Sequence, residues 1–229
     1  MLHNKFFTVS VAVGHQYELE AQRILKEYPE TFLITEKNEK IEKRYSIPLL
    51  NGLATKCMFA ILLPNYIDKP IIFFDADLVP IISNPLQYFK VKDETDIAMV
   101  PYPGKWHTPD EKLTKAMAKY GKLNSGFIYF KNIQIAKDIC KKWHAKYVER
   151  MNDYIHKKIK SDRTGEFDEP SLILVLADSN YKYEALDPKW NVWGDYRTLN
   201  NGISHDIKNP YFKQMHIDWS PYDMYPTIS

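Results

Sequence analysis

The stretch Ile71-Ile72-Phe73-Phe74-Asp75-Ala76-Asp77-Leu78-Val79-Pro80 decides how the chain is read. Four consecutive apolar residues after Lys69-Pro70 describe a short strand buried on both faces, as in a parallel sheet. Two carboxylates one residue apart close it. Ligands in open α/β sheets gather beyond the carboxyl ends of the strands, so Asp75 and Asp77 stand where a cation and an anionic substrate are expected.

Upstream, Phe6 to Gly14 is β-rich and holds Val11, Ala12 and Val13. Tyr17, Ala21, Ile24, Leu25 and Tyr28 follow at helical spacing, and Phe32-Leu33-Ile34-Thr35 forms a second strand. This β-α-β opening suits a nucleotide, but the chain contains neither GxGxxG nor GxxxxGK[ST]. Leu49 to Leu63 carries an apolar stripe at helical spacing that Pro64 stops. Lys56 lies off that stripe, placed to face solvent or to reach toward a phosphate.

Downstream, Ile81 to Phe89 reads as loop and turn and Asp96 to Pro101 as a strand. Thr108-Pro109-Asp110-Glu111 predicts a helix start with Thr108 as N-cap, and Gly121 its stop. Asn124-Ser125-Gly126 puts small residues in a β-rich run, where a ligand can approach the backbone closely. Ile133 to about Lys160 predicts the longest helix, with Ile135, Ile139, Trp143, Tyr147, Met151 and Ile155 on its apolar face. Lys137, Lys141, Lys142, Lys146 and Arg150 are assigned to the opposite, solvated face. Pro170 opens a helix over Ser171 to Leu176, just after Asp168 and Glu169. Pro188 to Gly194 reads as an aromatic loop.

The 229 residues, 45% of them hydrophobic, suffice for one domain with a full core. A net charge of +2 gives no basis for a nucleic-acid or membrane partner. Cys57 and Cys140 lack metal-site spacing and read as buried free thiols. With no leader or spanning segment in the sequence, the expected compartment is the cytoplasm, the host's for a viral chain.

Two aspartates two apart often do no more than cap a turn; their place at the end of a buried strand is what favours a hard divalent ion. Read singly, His216 is a hydrogen-bonded histidine, Lys56 a solvated lysine, Tyr17 a core residue, and Asp168 and Glu169 acids favoured by a helix N-terminus.

Taken in order, Phe73 to Asp77, Leu123 to Phe127, Asp168 to Leu172, Leu186 to Val192 and His216 to Trp219 resemble the GT-A nucleotide-diphospho-sugar glycosyltransferases, in particular the glycogenin-like and galactosyltransferase-like group. The resemblance implies a mixed, mostly parallel α/β sheet flanked by helices. Residues 1–100 would be the nucleotide-binding half and 101–229 the donor-sugar and acceptor half. It also implies that Asp75, Asp77 and His216 hold Mn2+ or Mg2+ on the donor diphosphate. Val11, Ala12, Val13, Tyr17, Lys56 and Ala76 would then contact the nucleotide, with Asn124, Ser125 and Gly126 beside the donor sugar. Asp168 and Glu169 would stand near the reacting carbon as candidates to deprotonate the acceptor.

The implied donor is a UDP-sugar ahead of a GDP-sugar, the acceptor an oligosaccharide or glycoprotein glycan, and the outcome retention at the anomeric carbon. The compact form is also similar to catalytic modules of larger bacterial or viral glycan-building enzymes, such as a chlorovirus capsid-glycan transferase. Trp106, His107, Trp190 and Trp193 are candidates for the acceptor side or for the core. Two departures stand out: Glu169 occupies a position where many relatives have glutamine, and the Gly-x-x-Lys-Pro-Trp pattern is missing after His216. Lys213 or the aromatic tail is the candidate substitute for that lysine.

Two rival readings share the Asp pair. DxDx[TV] also fits a haloacid-dehalogenase-type phosphatase with Asp75 as nucleophile, although the late acid cluster of that family is missing. The second is a glycan- or nucleotide-binding module without turnover.

Overall fold

β-Branched and aromatic runs form the central strands of the sheet, which are buried on both faces. The computed structural model describes residues 5–37, 41, 44–45, 48–102, 108–156, 168–193 and 212–214. In chain order these give β1 (Phe7–Ala12), α1 (His15–Glu27), β2 (Phe32–Thr35), α2 (Pro48–Met58), β3 (Ile71–Asp75), β4 (Leu78–Pro80), β5 (Ile97–Pro101), α3 (Glu111–Tyr120), β6 (Leu123–Phe130), α4 (Ile133–Ile155), α5 (Asp168–Ala177), β7 (Tyr183–Ala185), β8 (Val192–Trp193) and β9 (Phe212–Gln214). The main sheet has the order β2-β1-β3-β6-β5-β7. Five strands share one direction and β6 opposes them, pairing antiparallel with β3 and β5. A small sheet, β4-β9-β8, adjoins β3 in sequence through β4.

β3 shows why its sequence is apolar throughout. Ile71 and Phe73 enter the core that holds α2, α4 and α5, while Ile72 and Phe74 enter the opposite core with Ile24 and Tyr28 of α1. Phe74 packs there against Tyr28, Phe127 and Phe212 at centroid distances of 5.7, 5.7 and 5.3 Å.

Several local expectations need correction. Asp110, not Thr108, caps α3: its Oδ1 accepts from Leu113 N at 3.0 Å, while Thr108 Oγ1 accepts from Asp110 N at 3.1 Å. A carboxylate there also meets the positive end of the helix. α2 ends at Met58 and tightens into a 3-10 turn over Phe59–Leu62 before Pro64. α4 ends at Ile155, which is exposed, and Ile135 is only half-buried. Arg150 is not on the solvated face: it is 5% exposed, and its Nη1 donates to Asp110 Oδ2 at 2.7 Å. α5 begins at Asp168, before the proline. The span from Ile81 to Phe89 contains a 3-10 turn at Pro85–Tyr88. β4, β7, β8 and β9 are too short to leave a period in the sequence.

Candidate functional site

The site forms where β1 and β3 end and the antiparallel β6 begins. Val11 pairs with Asp75 in register, so Val11, Ala12 and Val13, all buried, lie alongside the Asp pair. Gly14 then turns the chain into α1 with φ 97° and ψ 148°, a backbone region almost confined to glycine, and its carbonyl accepts from Glu18 N. Ala12, Ala21 and Ala76 form a small cluster against which Tyr17 packs. Burial first, then the charge of Asp77, pushes the Tyr17 phenol well above its ordinary range, with Glu20 and Asp75 adding to it. Tyr17 therefore lies within electrostatic reach of the Asp pair.

A register shift shapes the β6 side. Met99 pairs with Ile128 but Val100 with Asn124, so β5 skips Ser125, Gly126 and Phe127. This bulge turns the small residues out of the ladder. Asn124 Oδ1 holds the bend by accepting from Gly126 N and from Asn191 Nδ2, each at 2.7 Å. Asn191 is a partner that the sequence reading missed.

Lys56 corrects its assignment. It neither faces solvent nor extends outward; it is 6% exposed and joins three elements. Its ammonium lies 2.7 Å from Asp75 Oδ1 on β3 and 3.0 Å from Asp168 Oδ2 on α5, and it donates to Ser125 Oγ on β6 at 2.8 Å. Burial opposes its charge, but Asp168, Asp75 and Glu169 outweigh burial and hold the ammonium protonated. Ser125 Oγ in turn lies 2.8 Å from Asp168 Oδ2 and 2.9 Å from Glu169 Oε1. Trp143 Nε1 donates to the Asp168 carbonyl at 2.8 Å, fixing the start of α5 from the α4 side.

The carboxyls differ in state. Burial raises the Asp75 carboxyl to about 7, with Asp77 and Asp168 adding to the effect and Lys56 opposing it. Burial and the Asp168 charge push Glu169 up to about 8. Asp168 is buried too, yet Lys56 and hydrogen bonds hold it below the usual carboxylate range.

The structure thus brings together Val11, Ala12, Val13, Tyr17, Lys56, Asp75, Ala76, Asp77, Asn124, Ser125, Gly126, Asp168 and Glu169 at one end of the sheet. His216, Trp106 and His107 lie outside the described residues, as do the side chains of Lys213 and Trp193. Trp190 does not serve an acceptor face: it is buried at 4.9 Å from Phe89 and 5.4 Å from Phe127. Among the described residues, no three His, Cys, Asp or Glu side chains are arranged to hold a metal ion. Asp75 and Asp77 are the two candidate oxygen ligands that the described residues offer at this end of the sheet.

No protein-family model matches the chain, and no curated protein matches it in sequence. Solved structures do match. Apo xyloside xylosyltransferase 1 from mouse aligns with a TM-score of 0.50 at 10% identity, over 91% of this chain and 97% of that one. The galactosyltransferase LgtC, in complex with donor and acceptor sugar analogues, gives 0.50 at 10% identity over 92% and 87%. The chain has the GT-A fold. Apo GlyE, a glycosyltransferase of Streptococcus pneumoniae TIGR4, gives 0.52 at 13% identity over 91% of this chain, which spans only 54% of GlyE. In GT-A terms, the six-stranded sheet and its helices are the shared frame, and the Asp75-Ala76-Asp77 segment sits at the carboxyl end of a central strand.

Proposed function

We propose that the chain is a glycosyltransferase that moves a sugar from a nucleotide-diphosphate donor, a UDP-sugar ahead of a GDP-sugar, to a glycan hydroxyl. One observation carries this reading. On a GT-A frame, the Asp75–Asp77 pair, Tyr17 and the Lys56–Ser125–Asp168–Glu169 network converge where β1 and β3 end and β6 begins. The wall of Val11, Ala12, Val13 and Tyr17 is the base and ribose side, and Asn124, Ser125 and Gly126 are the donor-sugar side.

Asp75 and Asp77, with His216, are the residues that would hold Mn2+ or Mg2+. When bound, such an ion supplies the positive charge that a departing diphosphate needs. Asp168 is too deeply buried under Lys56 and Ser125 to collect a proton from an acceptor. We therefore give Asp168 a positioning role and assign the acceptor proton to the leaving diphosphate, with retention at the anomeric carbon. Two buried free thiols, Cys57 and Cys140, accord with work in a reducing cytoplasm. No helix among the described residues is long and apolar enough to cross a membrane.

A screen of UDP- and GDP-sugars for metal-dependent donor hydrolysis tests the reading without an acceptor. Hydrolysis of at least one donor, lost in Asp77→Ala and on chelation, is expected. The absence of both hydrolysis and binding for every donor tested would refute the reading. Product NMR showing the inverted anomer would remove the retention assignment alone. The phosphatase alternative gains nothing from the fold, whose similar structures reported above are all glycosyltransferases.

A further inference from the structure

Ser125 Oγ has three close partners and a single hydrogen. Lys56 Nζ stands at 2.8 Å, Asp168 Oδ2 at 2.8 Å and Glu169 Oε1 at 2.9 Å. An ammonium has only donors, so Lys56 fills one Ser125 lone pair. Ser125 then gives its own hydrogen to one carboxyl oxygen. The other oxygen–oxygen contact, under 3 Å, is repulsive unless that carboxyl brings a proton of its own. Asp168 Oδ2 also faces Lys56 at 3.0 Å, which secures its charge, whereas no ion pair among the described residues holds Glu169. Glu169 also shares a side-chain hydrogen bond with Asp168. The contacts close with Lys56 donating to Ser125, Ser125 to Asp168, and a protonated Glu169 whose hydrogen faces both Ser125 Oγ and the Asp168 carboxylate.

We propose that Glu169 rests as a neutral carboxylic acid whose proton is held between Ser125 and the Asp168 carboxylate, so that it offers the donor an uncharged acceptor oxygen and is not the catalytic base. Lys56 and Ser125 are the positioning residues of this state. The proposal rests on the nucleotide-diphosphate reading above. Its consequence is a pH limit on binding an anionic donor, because loss of the proton adds a negative charge beside the diphosphate. The groups that act on Glu169 are Asp168 on α5, Lys56 and Cys57 on α2, and Tyr102 just after β5, with Asp75 on β3 sharing Lys56. Burial and Asp168 favour its neutral form, and only Lys56 among these opposes it by charge, which accords with a carboxyl pushed up to about 8.

Two readouts test it on the full chain. Carbon-13 NMR of side-chain-labelled glutamate, with the Glu169 signal identified by its loss in Glu169→Gln, is expected to show titration near 8. In Ser125→Ala, which removes one of the two acceptors of the proton, the same signal moves to lower pH. Titration of Glu169 in the ordinary range of about 4.3 would overturn the proposal. Calorimetry with UDP and Mn2+ is expected to show affinity falling about tenfold per pH unit above the titration point in the wild type, and this slope disappearing in Glu169→Gln. A flat wild-type profile, with UDP bound, would overturn the binding role. Complete absence of UDP binding would instead sink the transferase reading and the ligand role with it, while the NMR titration still decides where the proton resides.

Discussion

Lys56→Met tests whether one buried ammonium holds the three strand and helix ends together. The substitution keeps the length and apolar stem of the side chain but leaves Asp75 and Asp168 facing each other without a counter-charge. Breaking a buried pair from one side costs about 3–5 kcal/mol, because the remaining charge is stranded. Asp75 tempers this, since its raised pKa of about 7 lets it take up a proton cheaply. A net loss of about 3 kcal/mol is expected, a shift of roughly a hundredfold in the unfolding equilibrium. With a urea m-value of about 2–3 kcal/mol/M, the midpoint falls by about 1 to 1.5 M.

The sign with pH follows from Asp168. Its carboxyl is held low in the folded protein, so its pairing contributes at neutral pH and is lost as the pH falls through the acid range. The deficit of Lys56→Met is therefore largest at neutral pH and shrinks on acidification. Lys56→Met combined with Asp168→Asn recovers much of the loss, since the stranded charge is gone. A cost below about 1 kcal/mol, as for an exposed pair, or no recovery in the double variant, would refute the reasoning.

Other perturbations have separable outcomes. Asp110→Asn keeps an N-cap acceptor and loses the charge facing Arg150, whereas Asp110→Ala loses both; the alanine variant is expected to be less stable by a further ~1 kcal/mol in urea unfolding, and equal stabilities would deny the cap. Gly14→Ala meets no atom within 4 Å, so its cost of about 1–3 kcal/mol comes from the backbone alone, and an unchanged midpoint would show that the turn relaxes. Phe212→Ala removes a fully buried ring that joins β9 to Phe74, Phe127 and Trp190, and calorimetric unfolding should register about 3–5 kcal/mol; a much smaller loss would mean that β9 is not part of that core.

The main sheet was legible because its signals are local. A strand covered on both faces has no polar residue to interrupt it, and Ile71 to Phe74 shows this directly. Asn124-Ser125-Gly126 was legible as a place of close approach, but not as a bulge, because a register shift depends on the partner strand. Arg150 was misplaced although its spacing held the answer: it lies seven residues after Trp143 and three after Tyr147, both fully buried. Charge was allowed to override period. The short strands of the small sheet exist only through pairing between distant segments, as in Leu78 with Gln214, and no local window carries that.

Lys56 had a signal of its own. Between Leu49 and Leu63 it is the single charged residue, flanked by Ala54, Thr55 and Cys57, all buried. A helix with one charge and no polar face has nowhere exposed to place it, so that charge must find partners inside. Those partners explain the rest of the site. Asp75 comes from β3 and the adjacent Asp168 and Glu169 from the start of α5; burial and neighbouring charge raise Asp75 and Glu169 while Lys56 holds Asp168 down. At neutral pH the site therefore avoids carrying every carboxyl as an anion. The two groups that give way are Asp75 at the strand end and Glu169 at the start of α5, both raised first by burial. Asp168, the one kept charged, is the one the solvent cannot reach.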